Sequence, residues 1–255
     1  MSESLRTISS KALMGFGAIL AAGVVIGALI VSSTVKSVSS AKESITVKGL
    51  AETPVKADKA VWRLTIASKG ATATEAYANL QKDMDKVTAF LHEQKFTDQK
   101  ISRDNKSARE VYDNVRDDKG EYRQVFSHFE AYQTISVDTE DVQQMFAAAE
   151  KAYQLDEIGI RLAGGGSPEY LVKDLEKVKM SLIADATKNA HERASEFAKS
   201  GNIKVGTMKS ASQGAFYILA AQGGTDDSDY GGVYDKTTID KIARVVVTIN
   251  YAITQ

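Results

Sequence analysis

One segment limits what this chain can become before any fold is considered. Residues 12–31 read ALMGFGAILAAGVVIGALIV, and no charged or strongly polar side chain interrupts them. As a helix rising about 1.5 Å per residue, that run is about 30 Å long, the thickness of a bilayer's hydrocarbon core. Arg6 and Lys11 precede it, as basic residues do in signal sequences and signal anchors. A cleavable signal has an apolar region of about 7–15 residues followed by a small-x-small cleavage site. Here the region is longer and no crisp Ala-x-Ala follows. The expectation is a retained transmembrane signal anchor over residues 12–35 behind a short tail, residues 1–11. A cleaved signal is the alternative and a buried soluble helix the third reading. Lys36 and Lys42 lie beyond the run, so basic residues flank both ends and the positive-inside rule decides little. The short tail makes N-inside the default. That default makes residues 1–11 a cytoplasmic tail and places the remainder outside the cytoplasm.

Within the run, Gly23 and Gly27 form a GxxxG step. Such a step lets two membrane helices approach closely, so both glycines are candidate membrane-helix contacts. The blander explanation, that glycine is simply common in membrane helices, carries more weight. Residues 36–43 are rich in serine with scattered lysine and read as a flexible tether. The folded domain is expected over residues 44–255.

Composition removes several kinds of function from that domain. The formal net charge is −1, which leaves no electrostatic footprint for nucleic acid. There is no cysteine, so disulfides, thiolate catalysis and thiolate metal sites are excluded together. Proline occurs only at Pro54 and Pro168, so long helices and strands can run with few breaks.

The periodicity beyond residue 43 alternates between strand and helix. Residues 44–50 and 60–68 alternate apolar and polar as strands do, with a turn expected at Glu52-Thr-Pro-Val55. Residues 72–94 switch to helical spacing, with Ala73, Ala76, Leu80, Met84, Val87 and Leu91 recurring and Thr72 or Thr74 as cap. Residues 101–115 and 122–138 read as the two strands of a long hairpin, the second carrying Phe129, Ala131, Ile135 and Val137 on one face. A helix is expected over 139–153 with Val142, Met145, Phe146 and Ala149 inward, then a strand over 156–163. A long amphipathic helix over 169–200 is expected to carry Leu171, Leu175, Val178, Leu182, Ala186, Ala190, Ala194 and Phe197 on its apolar face and to end at Gly201. Strands over 207–213 and 244–254 close the domain, with a Gly-, Asp- and Ser-rich loop from 223 to 234 between them. Strand–strand–helix passages of this kind predict an α+β fold: an antiparallel or mixed sheet with helices packed on it.

No reaction can be read from these residues. His92, His128 and His191 share no metal-ligand spacing. Gly164-Gly-Gly-Ser167 lacks the Gly-Lys-Ser/Thr ending of a phosphate loop; a turn followed by an N-cap Ser167 and Pro168 accounts for it. Asp226, Asp227 and Asp229 lack the alternating ligands and closing Glu of a calcium loop. No catalytic, cofactor-binding or metal site is expected. Phe216, Tyr217, Tyr230 and Tyr234 are candidates for an interface loop, since aromatic residues on long loops are favoured at protein interfaces. Core packing explains them equally well.

A set of short motifs is spread along the domain. It starts with Ile45-Thr-Val-Lys-Gly49, Val55-Lys-Ala-Asp58 and Ala60-Val-Trp-Arg-Leu-Thr-Ile66. It continues in Phe129-Glu-Ala-Tyr-Gln-Thr-Ile-Ser-Val137 and Ala184-Asp-Ala-Thr-Lys-Asn-Ala-His-Glu-Arg-Ala194, then Gly201 and Val205-Gly206. It closes at Ser228-Asp-Tyr-Gly231 with Tyr234-Asp235. In these motifs the chain resembles the SIMPL-domain family. No single motif is diagnostic; their order and spacing carry the similarity over about 44–254. Where the family often has Pro-Asp, this chain has Ala57-Asp58. The resemblance implies a bacterial envelope protein without an assigned reaction, in a family linked in part to stress defence or surface antigens and to large hollow homo-oligomers. The expectation is therefore a non-enzymatic, single-pass inner-membrane protein. Its periplasmic domain would assemble with copies of itself into a ring, cage or channel-like body. A small-oligomer binding module for an envelope protein, peptide or glycan is the alternative.

Overall fold

The computed structural model describes residues 43–116, 118, 120–222 and 232–254, together with 23, 25, 27 and 28. The expected anchor falls outside these residues except for Gly23, Val25, Gly27 and Ala28, which are helical. Among the described residues no helix is long and apolar enough to cross a membrane. The chain divides into two compact units, each gathered from separated stretches of sequence. One comprises residues 52–182 and 215–245; the other includes the described parts of 1–51, 183–214 and 246–255. The fold is α+β, with antiparallel strand pairing and packed helices.

The first unit is built on two central strands, β2 (Lys59–Gly70) and β5 (Tyr122–Thr139). They pair antiparallel in unbroken register from Ala60↔Thr139 to Gly70↔Phe129. On the far side of β2 lie two short strands, β6 (Leu162–Gly164) and β7 (Glu169–Leu171). On the far side of β5 lie β3 (Ile101–Arg103) and β4 (Ser107–Arg116). Period-two alternation on β2 sends Trp62, Leu64 and Ile66 inward, where all three are fully buried beside Ala131, Ile135 and Val137 of β5. The helix α1 (Ala73–Glu93) covers this face with Ala76, Leu80, Met84, Val87, Phe90 and Leu91. The Trp62 and Phe90 rings meet edge to face at 6.5 Å. Thr72 caps α1 as its sequence predicts, its hydroxyl accepting from Glu75 N at 3.2 Å.

Several expectations need correction here. The strand β1 (Ser44–Lys56) does not turn at Pro54 but runs through it. Glu43 and Ala57 both bond the last strand, β9 (Asp240–Thr254): Ile253 N donates to Glu43 O and Ala57 N to Ile239 O. By parity the nitrogen of Pro54 faces the other way. Since β1 is an edge strand in the order β1-β9-β8, the missing N–H removes no ladder bond. The expected helix over 139–153 is two pieces, α2 (Val142–Ala149) and α3 (Tyr153–Glu157). Phe146 is exposed on the first, because Val142, Met145 and Ala148 supply the inward face. The expected strand over 156–163 shrinks to β6, since α3 takes residues up to Glu157 and Gly159 turns the chain at φ +79°.

The glycine run does not open a helix. Ser167 and Pro168 lead into β7, and the long helix α4 (Leu175–Ser200) begins later. The run instead closes against β2. Gly165 has φ +84°, a Cβ there would lie 1.5 Å from Arg63 O, and its own carbonyl accepts from Trp62 Nε1 at 2.8 Å.

In the second unit, part of α4 packs on part of β1 through small residues. Ala186, Ala190, Ala194 and Ala198 recur every fourth position and are buried. A Cβ on Gly49 of β1 would lie 2.0 Å from Ala186 O and 2.8 Å from the Ala190 Cβ, so backbone meets backbone. Phe197, expected inward, is 62% exposed; Ala198 holds the inward place. At the end of α4 the left-handed residue is Asn202 (φ 53°) rather than Gly201. The strand β8 (Lys204–Ala220) is longer than the sequence pattern predicts.

Candidate assembly surface

The hairpin of β4 and β5 extends well past the core. From Val111↔His128 to Arg116↔Tyr122 the two strands pair only with each other among the described residues. A register shift at Val111/Tyr112 gives β5 one extra residue, Ser127, between His128 and Phe126. The extra residue is a bulge, and bulges strengthen local twist. Beyond it the paired positions are Tyr112↔Phe126, Asp113↔Val125, Asn114↔Gln124, Val115↔Arg123 and Arg116↔Tyr122.

This arm is apolar where nothing among the described residues covers it. Tyr112, Val115, Val125 and Phe126 are all exposed, and Tyr122 is 74% exposed. The aromatic rings continue a stripe that starts in the core: Phe129 packs on the buried cluster, Phe126 lies 5.2 Å from it, and Tyr112 lies 5.9 Å from Phe126. A contiguous exposed apolar surface on a folded domain marks an interaction site.

At its base the arm is held by a charged cluster. Arg109 lies over the Tyr132 ring at 4.9 Å and pairs with Glu130 at 3.2 Å. The Tyr132 hydroxyl also donates to Glu130. That hydroxyl, more than the nearby Arg109 and Arg161, holds the Glu130 carboxyl below its ordinary range against the opposing cost of burial. Burial and the Glu130 carboxylate together raise the Tyr132 phenol. These contacts tie β4 to β5 where the arm begins.

The expected interface residues lie elsewhere. Phe216 and Tyr217 are half-buried on β8. Tyr234 is half-buried; its hydroxyl accepts from Val172 N at 2.9 Å, and its backbone bridges to Ile218. Tyr230 lies outside the described residues. At Gly23 and Gly27 a Cβ would meet nothing within 4 Å among the described residues. Phe216 lies near the stretch that carries Tyr234: a Cβ at Gly232 would lie 2.9 Å from Phe216 O. Sequence reasoning gave the hairpin but not its exposure. The available signal was the run Tyr112 to Phe126, where apolar residues occur on both faces of a ladder that is otherwise charged.

The histidines do not converge. His92 pairs with Asp98 at 2.9 Å, His128 meets Ser127 at 3.0 Å, and His191 packs edge-on against Tyr251 at 5.5 Å. Among the described residues no group of acidic or histidine side chains is placed to hold a metal ion.

The model of the SIMPL family, described as a protein of unknown function (DUF541), matches residues 45–247. The chain belongs to the SIMPL family. No curated protein matches it in sequence. The match takes in both central strands of the SIMPL domain, the whole arm and all of α4, so the exposed hairpin lies within the family's own span.

The second unit carries a groove of about 640 Å³ beside β1, lined by Lys48, Arg193, Glu196 and Phe197 among others. Two side chains of α4 occupy the open edge of β1 there. Asn189 Oδ1 accepts from Leu50 N at 3.1 Å, and Arg193 donates to Lys48 O at 3.2 Å. They stand where a neighbouring strand would bond, and so blunt that edge.

Proposed function

We propose that this SIMPL protein is a non-enzymatic, membrane-anchored envelope protein that assembles with copies of itself. The apolar run over residues 12–31 supports an anchor in the bacterial inner membrane, with the domain in the periplasm. Self-assembly is supported chiefly by the uncovered aromatic arm, where Tyr112, Tyr122 and Phe126 stand exposed on a hairpin paired with no other strand. Tethering raises the local concentration of copies, so contacts that are weak singly suffice to build a large body. In this reading the body is hollow, ring-, cage- or channel-like, the anchors gather beneath it, and its role is in envelope stress defence. The full chain extracted in mild detergent should scatter light as a large particle and appear as one in electron microscopy. A strict monomer at micromolar concentration refutes the reading. The groove beside β1 supports a second reading, a small oligomer that binds one envelope peptide or partner protein. It predicts a small particle that retains such a ligand.

A further inference from the structure

We infer that the open edge of β4 is a homotypic site that pairs antiparallel with the β4 of a second copy, centred on Val111. This inference deepens the self-assembly proposed above and rests on it.

The edge is long and carries neither proline nor bulge. β4 runs for ten residues, and among the described residues its one ladder is to β5. The bulge lies on β5, so the outer edge of β4 keeps a regular row of donors and acceptors. A free edge of that kind is a template for another strand.

The charges on β4 choose both the occupant and the register. The strand reads Ser-Ala-Arg-Glu-Val-Tyr-Asp-Asn-Val-Arg from Ser107 to Arg116. Antiparallel pairing about Val111 sets Arg109 opposite the second copy's Asp113, and by symmetry Asp113 opposite its Arg109. Val111 meets itself, Tyr112 meets Glu110, and Val115 meets Ser107. No like charges stand opposite across the nine overlapping residues. Centring on Glu110 or Asp113 would instead set a carboxylate against itself, and a half-step toward Tyr112 would set Glu110 against Asp113 twice. Opposite charges directly across a ladder stabilise it and like charges destabilise it. Such a contact is isologous, so the arms join copies two by two.

The absence of cysteine makes the test clean. In antiparallel strands, Cα atoms directly opposite lie about 4.5–5.5 Å apart, within disulfide range. Full-length Val111→Cys in mild detergent, exposed to a mild oxidant, should form a covalent dimer at least about tenfold faster than Tyr122→Cys near the arm's tip. Adding Asp113→Arg to Val111→Cys should slow that dimer, because it sets arginine against Arg109. Equal rates at the two positions, in protein that still scatters as a large particle, would overturn the arm pairing and leave self-assembly standing. A monomer with no cross-link at either position overturns both.

Discussion

At the residue scale, the buried charge of Lys241 is the most exacting feature. Its side chain is fully buried, and Nζ donates to the Asp235 backbone oxygen at 2.6 Å and to Oδ2 at 3.1 Å. Asp235 also accepts from the hydroxyls and backbone amides of Thr237 and Thr238. Burial works against its charged form, but the hydrogen bonds from Thr238, Thr237 and Lys241 outweigh burial and hold the carboxyl well below its ordinary range. Asp235→Ala should therefore cost about 3 kcal/mol or more in urea unfolding, since it strands a buried ammonium. The pH dependence follows the same pair. A depressed folded-state pKa contributes stability that is complete above the unfolded value of about 4 and is lost as pH falls further. Unfolding midpoints measured below pH 4 should drop more steeply for wild type than for the variant, and parallel slopes would refute the coupling. Gly165 gives a second test. Gly165→Ala should cost about 3 kcal/mol, because its φ is positive and the new Cβ would strike Arg63 O. Gly166→Ala, with open space around it, should stay within about 0.5 kcal/mol. Neither residue's role could be read from the sequence. Three glycines in a row signal a break, but which one needs the left-handed region depends on a strand a hundred residues earlier.

At the element scale, legibility tracks how local the cause is. The helix α1 was readable because its cap, its spacing and its buried face all lie within Thr72 to Leu91. The inward face of β5 was readable for the same reason. Pro54 misled because proline usually ends a strand, and only the order β1-β9-β8 shows that its nitrogen faces an empty edge. On α4 the apolar period was correct, but Phe197 and Ala198 are neighbours and either could continue it. The buried row runs through Ala186, Ala190, Ala194 and Ala198 at every fourth residue, and Phe197 falls just off it. This gives a paired prediction. Ala190→Leu should destabilise by about 3 kcal/mol in a thermal or urea melt, because the helix must move off β1 to admit it. Phe197→Ala, which removes a larger side chain, should change stability by no more than about 0.5 kcal/mol. If the phenylalanine variant proves the worse of the two, the small-residue packing of α4 on β1 is not what holds that unit.

At the scale of the whole molecule, the proposed assembly puts folding and self-association on different residues. The buried cluster ends near Ala108 and Phe129, and the described residues from Tyr112 to Phe126 add no buried side chain to it. An exposed aromatic hairpin is costly for a solitary domain, because it invites unwanted association unless a partner covers it. The charges along β4 do not blunt its edge indiscriminately; their order suits a second copy read in the opposite direction. Replacing residues 112–127 by a two-residue Asn-Gly turn between the paired Val111 and His128 should therefore leave folding intact and remove assembly. The expected result is a thermal midpoint within a few degrees of wild type, with the scattering mass of the detergent-extracted chain falling to that of small species. A midpoint that collapses would mean that the arm belongs to the core. An unchanged midpoint with undiminished mass would move the assembly contacts to other surfaces, such as the part of α4 around the exposed Phe197.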